Sequence, residues 1–334
     1  MNTKIVVSIV CITYNHAPYI RQCLDGFVMQ KTSFPFEVLI HDDASTDGTT
    51  EIVREYADKY PDIFVPFYEE QNQWGKLSYW KNILFPKVRG KYVALCEGDD
   101  YWTDPIKLQK QVDTLEANPA ASVCFHSVVL HWEDGEEQDT VIPTSKHRFN
   151  KFVLNIDDLL RRNCIQTNSV MYRWRFHEDD LSVIPDGIIC EDYFMHLVHA
   201  EKGEIIFLPE CMGVYRKQKS GIWYGAEASK DWCKKNAIRH YKFYDMLERR
   251  YNANFSIRKD TFISTCYAYA LRDDDKEWLD ELRNTAPLPI TIHKFMRAEL
   301  FLIKIATILA RASWKERLIV RKRNLKNFLR IYHG

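Results

Sequence analysis

Three apolar segments of this chain end abruptly in polar residues, and a helical segment follows each of them. The apolar segments are residues 5–12, 38–40 and 91–96, and the helical segments are residues 18–29, 49–59 and 104–116. Near-continuous apolar runs are typical of strands that a parallel sheet buries on both faces. Strands that alternate with helices predict an α/β fold, with a mostly parallel sheet flanked by helices.

The polar residues after these strands predict a single ligand site. They are Thr13-Tyr14-Asn15, Asp42-Asp43 and Glu97-Gly98-Asp99-Asp100. Ligands of open α/β sheets bind outside the carboxyl ends of the strands, so we expect the three turns to lie together. Unpaired buried charge is costly, and clustered carboxylates therefore need a cation. Hard oxygen ligands suit Mg²⁺ or Mn²⁺, which in turn holds a diphosphate. A solvated acidic turn would explain one Asp-Asp pair, but two acidic strand ends favour the cation site.

Three ordered motifs carry a family resemblance. They are Ser8-Ile-Val-Cys-Ile-Thr-Tyr-Asn15, Ile40-His-Asp-Asp-Ala-Ser-Thr-Asp-Gly48 and Glu97-Gly-Asp-Asp100. Together they resemble the signature of the family 2 glycosyltransferases, over roughly residues 4–220. The resemblance implies the Rossmann-like GT-A fold and a metal-dependent, inverting transfer of sugar from a nucleotide-sugar. The residues by themselves indicate only a cation–diphosphate site on an α/β sheet.

The resemblance assigns the first two turns to the nucleotide-sugar. The residues assigned are Thr13, Tyr14, Asp42 and Asp43. Asp43 falls where the family's aspartate contacts a base edge, and Tyr14 falls where an aromatic ring stacks on the base. A carboxylate and an aromatic face suit UDP, while GDP and dTDP stay open. His16 and His41 flank these turns, and we interpret each as a structural or rim histidine.

The third turn is assigned to the metal ion. By resemblance, Asp99 is the first ligand, with Asp100 or Glu97 as a second ligand or a ribose contact. The family often has a histidine shortly after a Tyr-Arg pair, but here Gln218 follows Arg216 at that distance. This departure leaves a third protein ligand open and predicts weaker binding of Mn²⁺ or Mg²⁺. Arg216 is expected to contact the nucleotide-sugar phosphates, although an ordinary solvated turn would also explain it.

Glu191 and Asp192 begin a segment that looks like an amphipathic helix with its apolar residues inward. Acidic residues are favoured at helix N-termini without any further function. The pair nevertheless matches the family's Glu-Asp motif, whose aspartate is the expected general base. Inversion requires a base that accepts the acceptor hydroxyl's proton during attack on the anomeric carbon. We assign Asp192 to this role, with Glu191 as the alternative. The resemblance implies that a strand at residues 165–173 faces the acceptor, while a strand whose Thr167 and Ser169 only satisfy backbone groups is a comparable alternative.

The end of the chain is basic. Residues 294–334 contain eleven Lys or Arg and two Glu, a local charge of +9, which leaves −9 for residues 1–293 because the whole chain is neutral. An apolar cluster precedes the basic run, so residues 294–330 predict a basic amphipathic helix that lies on an anionic membrane surface. Packing of this helix on the catalytic domain is an equal alternative. Nucleic-acid binding is disfavoured because the remainder of the chain is not basic.

Composition and motif content narrow the class of protein. The nine cysteines include no Cys-x-x-Cys pair, which favours reduced thiols in a cytosolic protein over disulfides or a zinc site. No signal peptide precedes the first strand, and no apolar stretch reaches membrane-spanning length. We therefore expect a cytoplasmic protein, free or peripheral at the inner face of the cytoplasmic membrane.

We expect a GT-A domain over residues 1–222 and a helical C-terminal extension over residues 223–334, with helices at 227–251 and 255–272. Such an enzyme adds one sugar, with UDP-sugars favoured as donors, to a hydroxyl of a glycan or lipid-linked glycan in cell-surface polysaccharide biosynthesis. The absence of a Gln-x-x-Arg-Trp motif disfavours a processive synthase. A nucleotidyltransferase is disfavoured because no glycine-rich phosphate loop follows the first strand. A degenerate, non-catalytic sugar-nucleotide binder stays open because Gln218 weakens the metal site.

Overall fold

A computed structural model describes residues 4–74, 78–135, 137–143, 152–218, 221 and 229–286. The chain divides into two compact units, Met1–Gly225 and Ala226–Gly334. The expected domain boundary after residue 222 falls outside the described residues, so it stays a prediction.

The described part of the first unit contains a mixed sheet with helices. Its strands are β1 Val7–Thr13, β2 Phe36–Asp42, β3 Phe64–Tyr68, β4 Tyr92–Glu97, β5 Tyr101–Trp102, β6 Ala121–Trp132, β7 Thr140–Ile142, β8 Val153–Leu154, β9 Met171–Arg173 and β10 Glu204–Lys217. Its helices are α1 Ile20–Val28, α2 Thr49–Lys59, α3 Lys107–Ala117, α4 Ile156–Arg161 and α5 Glu191–Ala200, with a π-helical turn at Trp80–Leu84. The strand order is β3-β2-β1-β4-β9-β6-β10-β5, while β7 pairs with β6 and β8 pairs with β10.

Strands β3, β2, β1 and β4 are parallel neighbours, which confirms the predicted α/β sheet. The apolar runs are buried because helices cover the sheet. Val7, Ile9 and Cys11 of β1, for example, lie in one apolar cluster with residues of α1, α2 and α3. In the register of the sheet, Thr13 pairs with Asp42, and the preceding residue of β1 pairs with Glu97. The three strands that carry the sequence motifs therefore end side by side.

The strand predicted at residues 165–173 is shorter than expected. Only Met171–Arg173 forms β9, and Thr167–Ser169 forms a buried turn of 3₁₀-helix instead. Two long-range hydrogen bonds hold this turn. The buried Asn168 amide donates to a carbonyl of β10 at 2.7 Å, and the Asn168 carbonyl accepts from the Trp102 indole at 2.7 Å. Side-chain partners from distant parts of the chain therefore replace the hydrogen bonds that a strand would make.

Helix α5 is buried on every side and not on one face as expected. The residues that follow Asp192, Tyr193 to Ala200, are all buried, including His196 and His199. Burial lowers the pKa of both imidazoles to about 3, so both are neutral at physiological pH. A helix enclosed in this way fixes the position of the acidic pair at its N-terminus.

The described part of the second unit consists of helices. They are α6 Lys230–Tyr251, α7 Ser256–Arg272 and α8 Lys276–Thr285. The first two correspond to the predicted helices, while α8 was not predicted. Their shared core includes Cys233, Tyr267 and Trp278. The basic segment at residues 294–330 lies outside the described residues. Among the described helices, none combines the length and the apolar character that crossing a membrane would require.

Candidate active site

The ends of β2, β1 and β4 are joined by backbone hydrogen bonds. The Asp43 amide donates to the Thr13 carbonyl at 3.1 Å, and the Gly98 amide donates to the Ile12 carbonyl at 2.9 Å. Because these residues follow parallel, neighbouring strands, the three polar turns lie at one edge of the sheet. The structure therefore brings together the turns that the sequence predicted to form one site.

The paired carboxylates after β2 have different surroundings. Asp42 accepts hydrogen bonds from the Ser45 hydroxyl at 2.5 Å and from the Thr50 hydroxyl in the first turn of α2. This geometry gives Asp42 the role of holding the turn, and its contact with the nucleotide stays a prediction. Asp43 accepts from the Gln73 amide at 2.7 Å and from the Tyr79 hydroxyl at 2.6 Å. Each carboxylate oxygen has two lone pairs, so Asp43 can still accept a base N–H.

The turn after β1 presents Tyr14 to solvent. Tyr14 is 44% exposed, so its ring is accessible to a stacking partner. The neighbouring Asn15 has a positive φ of 52° and holds this turn to the one after β2. Its amide donates to the Ser45 hydroxyl at 2.9 Å, while its side-chain oxygen accepts from the Thr46 amide at 2.9 Å. Thr13 is buried and contacts His16, so the predicted nucleotide contact of Thr13 stays a prediction.

Three carboxyl groups interact electrostatically beside the end of β4. Burial and the nearby carboxylates of Asp99 and Asp192 raise the pKa of Glu97 to about 8. Burial likewise raises the pKa of Tyr215, and Asp99, Glu97 and Asp192 all raise it further. Asp192 therefore lies close to the acidic residues of the strand end, although it comes from α5. A carboxyl group whose pKa is raised by burial and by neighbouring carboxylates is common at functional sites.

Asp99 and Asp100 differ in accessibility. The Asp99 side chain is 18% exposed, and one of its oxygens accepts from the Gln218 amide nitrogen at 2.9 Å. Asp100 is buried, and one of its oxygens accepts from the Arg216 backbone amide at 2.8 Å. Burial, and the charge of Asp99 in second place, raise the Asp100 pKa well above its usual value. Asp99 therefore faces the open side of the site, while Asp100 faces the interior, and its assignment as a metal ligand stays a prediction.

The guanidinium nitrogens of Arg216 bond to other groups of the protein. Its Nε donates to the Asp99 carbonyl at 2.7 Å, its Nη1 pairs with Glu133, and its Nη2 donates to Gln22 at 2.8 Å. The guanidinium also lies over the Tyr101 ring, 5.0 Å from the centroid. We infer that Arg216 holds the Asp99 turn in place, and its contact with phosphate stays a prediction.

The two acidic residues at the start of α5, Glu191 and Asp192, contact different parts of the chain. Glu191 accepts a hydrogen bond from the Ser78 hydroxyl, and burial and the Asp192 charge raise its pKa to about 7. Asp192 accepts from the Thr167 hydroxyl at 3.3 Å, and burial raises its pKa. Asp192 interacts with Glu97, whereas Glu191 faces Lys81. Of the two, Asp192 is the carboxylate on the side of the strand ends.

Sequence reasoning missed the segment that links the nucleotide side to the acidic pair. Tyr79 bonds to Asp43, stacks on His41 with ring centroids 4.6 Å apart, and follows Ser78, which bonds to Glu191. The available signal was a run of aromatic and polar residues, Ser-Tyr-Trp, between two strands. That signal does not reveal distant partners.

A divalent cation fits the Asp99 side of this site. Among the described residues, no three side chains of His, Cys, Asp or Glu converge as a metal cage would require. Nucleotide-bound Mg²⁺ or Mn²⁺ does not need such a cage, because one or two carboxylates and the substrate phosphates hold it. Asp99 is partly open, and its hydrogen bond from the Gln218 side chain engages Oδ2. Asp99 could therefore bind a cation through a carboxylate oxygen.

Sequence comparison identifies relatives over the strand-rich unit. Residues 8–178, just over half of the chain, match the family described as Glycosyl transferase family 2. An uncharacterised protein of Mycobacterium tuberculosis is 49% identical over 220 residues, which are 66% of this chain and 61% of that protein. The chain thus matches less than two thirds of that relative's length. TuaG of Bacillus subtilis, named for glycosyl transfer in teichuronic acid biosynthesis, is 28% identical over 74% of this chain and 90% of its own.

Solved structures share the fold at low sequence identity. The mannosyltransferase PcManGT of Pyrobaculum calidifontis, solved with GDP-Man and Mn²⁺, has a TM-score of 0.55 and 19% identity, covering 92% of this chain and 87% of its own. TarS 1-349 of S. aureus has a TM-score of 0.51 and 18% identity, covering 80% and 72% of the two chains. These likenesses confirm the expected GT-A architecture. On the match of its ordered motifs and of more than half its length, the chain belongs to the family 2 glycosyltransferases.

Proposed function

We propose that this protein transfers one sugar, with inversion, from a nucleotide-diphosphate donor to a hydroxyl of a glycan or lipid-linked glycan. The observation that carries the proposal is the proximity of three carboxyl groups, since the charges of Asp99 and Asp192 both raise the pKa of Glu97. They lie near the ends of the parallel strands, where Asp43 also lies. This arrangement supports the proposal, because the base and the donor's diphosphate must lie near one another. The structures of similar fold support it, because PcManGT was solved with GDP-Man and Mn²⁺ and TarS 1-349 with UDP.

In this mechanism the chain binds the donor through the turns after β1 and β2. The free ring face of Tyr14 stacks on the base, and the Asp43 carboxylate accepts a base N–H. That contact favours UDP, whose uracil offers such a group, and leaves GDP and dTDP as alternatives. Tyr79 and Gln73 already hold the Asp43 carboxylate in place, so little ordering is required when the nucleotide binds.

Asp192 is proposed to act as the general base. The acceptor oxygen forms a bond to the anomeric carbon as the bond to the donor phosphate breaks, and the hydroxyl proton moves to the Asp192 carboxylate. A raised pKa suits this role, because a base is most effective when its pKa approaches the working pH. A divalent cation held by Asp99, with Mn²⁺ and Mg²⁺ both compatible, would supply charge stabilisation to the departing diphosphate. The fixed position of α5 keeps Asp192 oriented towards that reaction centre.

The organisation and location of the protein follow as further proposals. We assign catalysis to residues 1–222 and a supporting role to the helical extension at residues 223–334. The basic segment at residues 294–330 is proposed to bring the protein to an anionic membrane surface, where lipid-linked acceptors lie. Deletion of residues 294–334 should then abolish association with anionic liposomes. Unchanged association after this deletion would contradict the membrane proposal.

A thermal-shift screen tests donor binding first. UDP, GDP, dTDP and CMP are each added with and without Mn²⁺, since a ligand that binds only the folded state raises its melting temperature. We expect a metal-dependent rise with one nucleotide, UDP being favoured. No rise with any nucleotide would count against the proposed donor site.

A non-catalytic sugar-nucleotide binder is the second candidate. The observation in its favour is Gln218, a neutral side chain, beside the proposed metal ligand Asp99. Hydrolysis of the matching nucleotide-sugar separates the two functions, because only the enzyme releases free nucleoside diphosphate. The Asp192→Asn variant should lose this release while keeping the thermal shift, and Glu178→Gln, at an exposed position, should keep both. Release that persists in Asp192→Asn would show that another group is the base.

A further inference from the structure

His16 lies opposite Asp99 at a distance that suits two ligands of one cation. The His16 Nε2 is 3.9 Å from the Asp99 Oδ2, which is too long for a hydrogen bond. Two ligands bound at about 2.1 Å to the same Mn²⁺ or Mg²⁺ are separated by about 3.0 Å in cis and about 4.2 Å in trans. The observed separation is closer to the trans value than to the cis value. Both side chains are also partly open, at 19% and 18% exposure.

The other nitrogen of the His16 ring has a partner that fits metal binding. His16 Nδ1 lies 3.2 Å from the Thr13 hydroxyl oxygen. Histidines that bind metals commonly donate the second ring N–H to an oxygen, which leaves the first nitrogen free as a ligand. With Nδ1–H donated to Thr13, the lone pair of Nε2 points to the Asp99 side.

The backbone of His16 is fixed before any ligand arrives. Its amide donates to the Thr49 hydroxyl at 2.8 Å, and its carbonyl accepts from the Tyr19 and Ile20 amides at 2.8 Å each. The turn that carries Asp99 packs closely on His16. A Cβ atom on Gly98 would lie 2.5 Å from the Thr13 hydroxyl oxygen and 3.0 Å from His16 Nδ1. The glycine of this motif therefore permits the close approach of the two candidate ligands.

Gln218 also contacts the Asp99 Oδ2, the oxygen that lies 3.9 Å from the His16 Nε2. Its amide nitrogen donates to the Asp99 Oδ2, so this side chain supports the carboxylate and does not take the place of a ligand in the observed geometry. An imidazole contributed by the turn after β1 would compensate for a neutral amide after β10.

We propose that His16 and Asp99 together bind the divalent cation of the donor complex, with His16 Nε2 and a carboxylate oxygen of Asp99 as ligands. This inference rests on the proposed metal-dependent function and adds a ligand to it. Diphosphate oxygens and water complete the coordination sphere. An imidazole nitrogen is a softer donor than a carboxylate oxygen, so the pair favours Mn²⁺ over Mg²⁺, which has the stronger preference for oxygen.

Pulsed electron paramagnetic resonance of Mn²⁺ bound to the full chain in the presence of UDP tests this assignment. The wild type should show coupling from a directly bound imidazole nitrogen, and isotopic labelling of histidine should change that signal. His16→Gln should lose the signal and should bind Mn²⁺ at least about tenfold more weakly. Loss of a group that only supports a metal ligand already costs about tenfold in metal affinity, and loss of the ligand itself should cost no less. His177→Gln is the matched control, because this exposed histidine bonds to the Gly90 carbonyl. It should behave as the wild type does.

The possible failures are distinguishable. Mn²⁺ bound to the wild type without a nitrogen signal would overturn the role of His16 while leaving the metal-dependent function intact, and His16 and Asp99 would then form only an ion pair. A nitrogen signal that survives in His16→Gln would also overturn it. If the wild type binds no Mn²⁺ with any of UDP, GDP or dTDP, the proposed metal-dependent function fails, and this inference fails with it. The wild-type spectrum alone is informative, so the test does not depend on the folding of a variant.

Discussion

Replacement of the buried Lys107 by Met should stabilise the protein, and more strongly at pH 7 than at pH 10. Lys107 is the first residue of α3 and is fully buried, and its Nζ has no hydrogen-bond partner among the described residues. Burial lowers its pKa to about 7, while the neighbouring Cys96 and Cys124 oppose this shift. The ammonium lies 3.6 Å from the centroid of the Trp102 ring, which favours the charged form. A methionine would fill a similar volume without a charge.

The magnitude follows from the difference between the folded and unfolded pKa values. In the unfolded chain the pKa of Lys107 is near its ordinary value of 10.5, so the folded state binds fewer protons between pH 7 and pH 10.5. The stability of the wild type therefore rises with pH through this window. At about 1.4 kcal/mol per pKa unit, the buried lysine costs about 4 kcal/mol at pH 7 and about 1 kcal/mol at pH 10. The gain in free energy of unfolding from Lys107→Met should therefore fall by about 3 kcal/mol from pH 7 to pH 10. Any stabilisation of the ammonium by Trp102 reduces this difference.

Urea unfolding at pH 7 and pH 10, followed by fluorescence and circular dichroism, measures this difference. Coincident transitions by the two probes establish whether one unfolding step is observed. Lys31→Met is the control for the loss of a lysine, because Lys31 is exposed. A stability difference for Lys107→Met that does not change with pH would refute the reasoning. Destabilisation at pH 7 would show that the contact with Trp102 outweighs the loss of hydration.

Three further substitutions test contacts around the site and in the fold. Tyr79→Phe removes one of the two donors that hold Asp43 and should weaken UDP binding by about three- to tenfold in calorimetry, because one hydrogen bond contributes about 1 kcal/mol. Gly90→Ala places a Cβ 2.5 Å from the Ser8 backbone nitrogen and should cost about 1–3 kcal/mol in urea unfolding; an unchanged midpoint would contradict this close approach. Asn155→Ala removes the capping box of α4 and should cost about 1 kcal/mol by the same assay. A cost of nearly zero would mean that this helix end is held by other contacts.

The strand ends could be predicted from sequence because the signal is local. An apolar run that stops at paired carboxylates, such as Asp42-Asp43, identifies both the strand and its polar tip, and the rule for parallel sheets then places the tips together. The distinct roles of the two aspartates depend on partners elsewhere. Asp43 is bonded by Tyr79, which is 36 residues away, and Glu191 by Ser78, which is 113 residues away. A local sequence pattern spans too few residues to reveal partners that are so far apart in the chain.

Arg216 illustrates a second reason for incomplete prediction. Its place in a Tyr-Arg pair favoured a phosphate contact, but its guanidinium bonds to Gln22, Glu133 and the Asp99 carbonyl. Sequence can show that a cation is near a site, but the partner of that cation depends on the packing of several elements. The same limit applies to His16, whose distance from Asp99 is set by the turn at Gly98.

The pairing of Arg216 also bears on what the site is built to do. The buried guanidinium has a carboxylate partner, because it pairs with Glu133, and opposite charges in contact lower the cost of burial. Its bond to Asp99 goes to the backbone carbonyl. The Gln218 amide that does reach the carboxylate carries no charge. The turn is thus held by bonds to its backbone and by a neutral amide, and these contacts leave the negative charge of Asp99 in place. Such an arrangement suits a carboxylate that attracts a cation. Burial in the first place, and the charge of Asp99 in the second, raise the pKa of Glu97 and of Asp100.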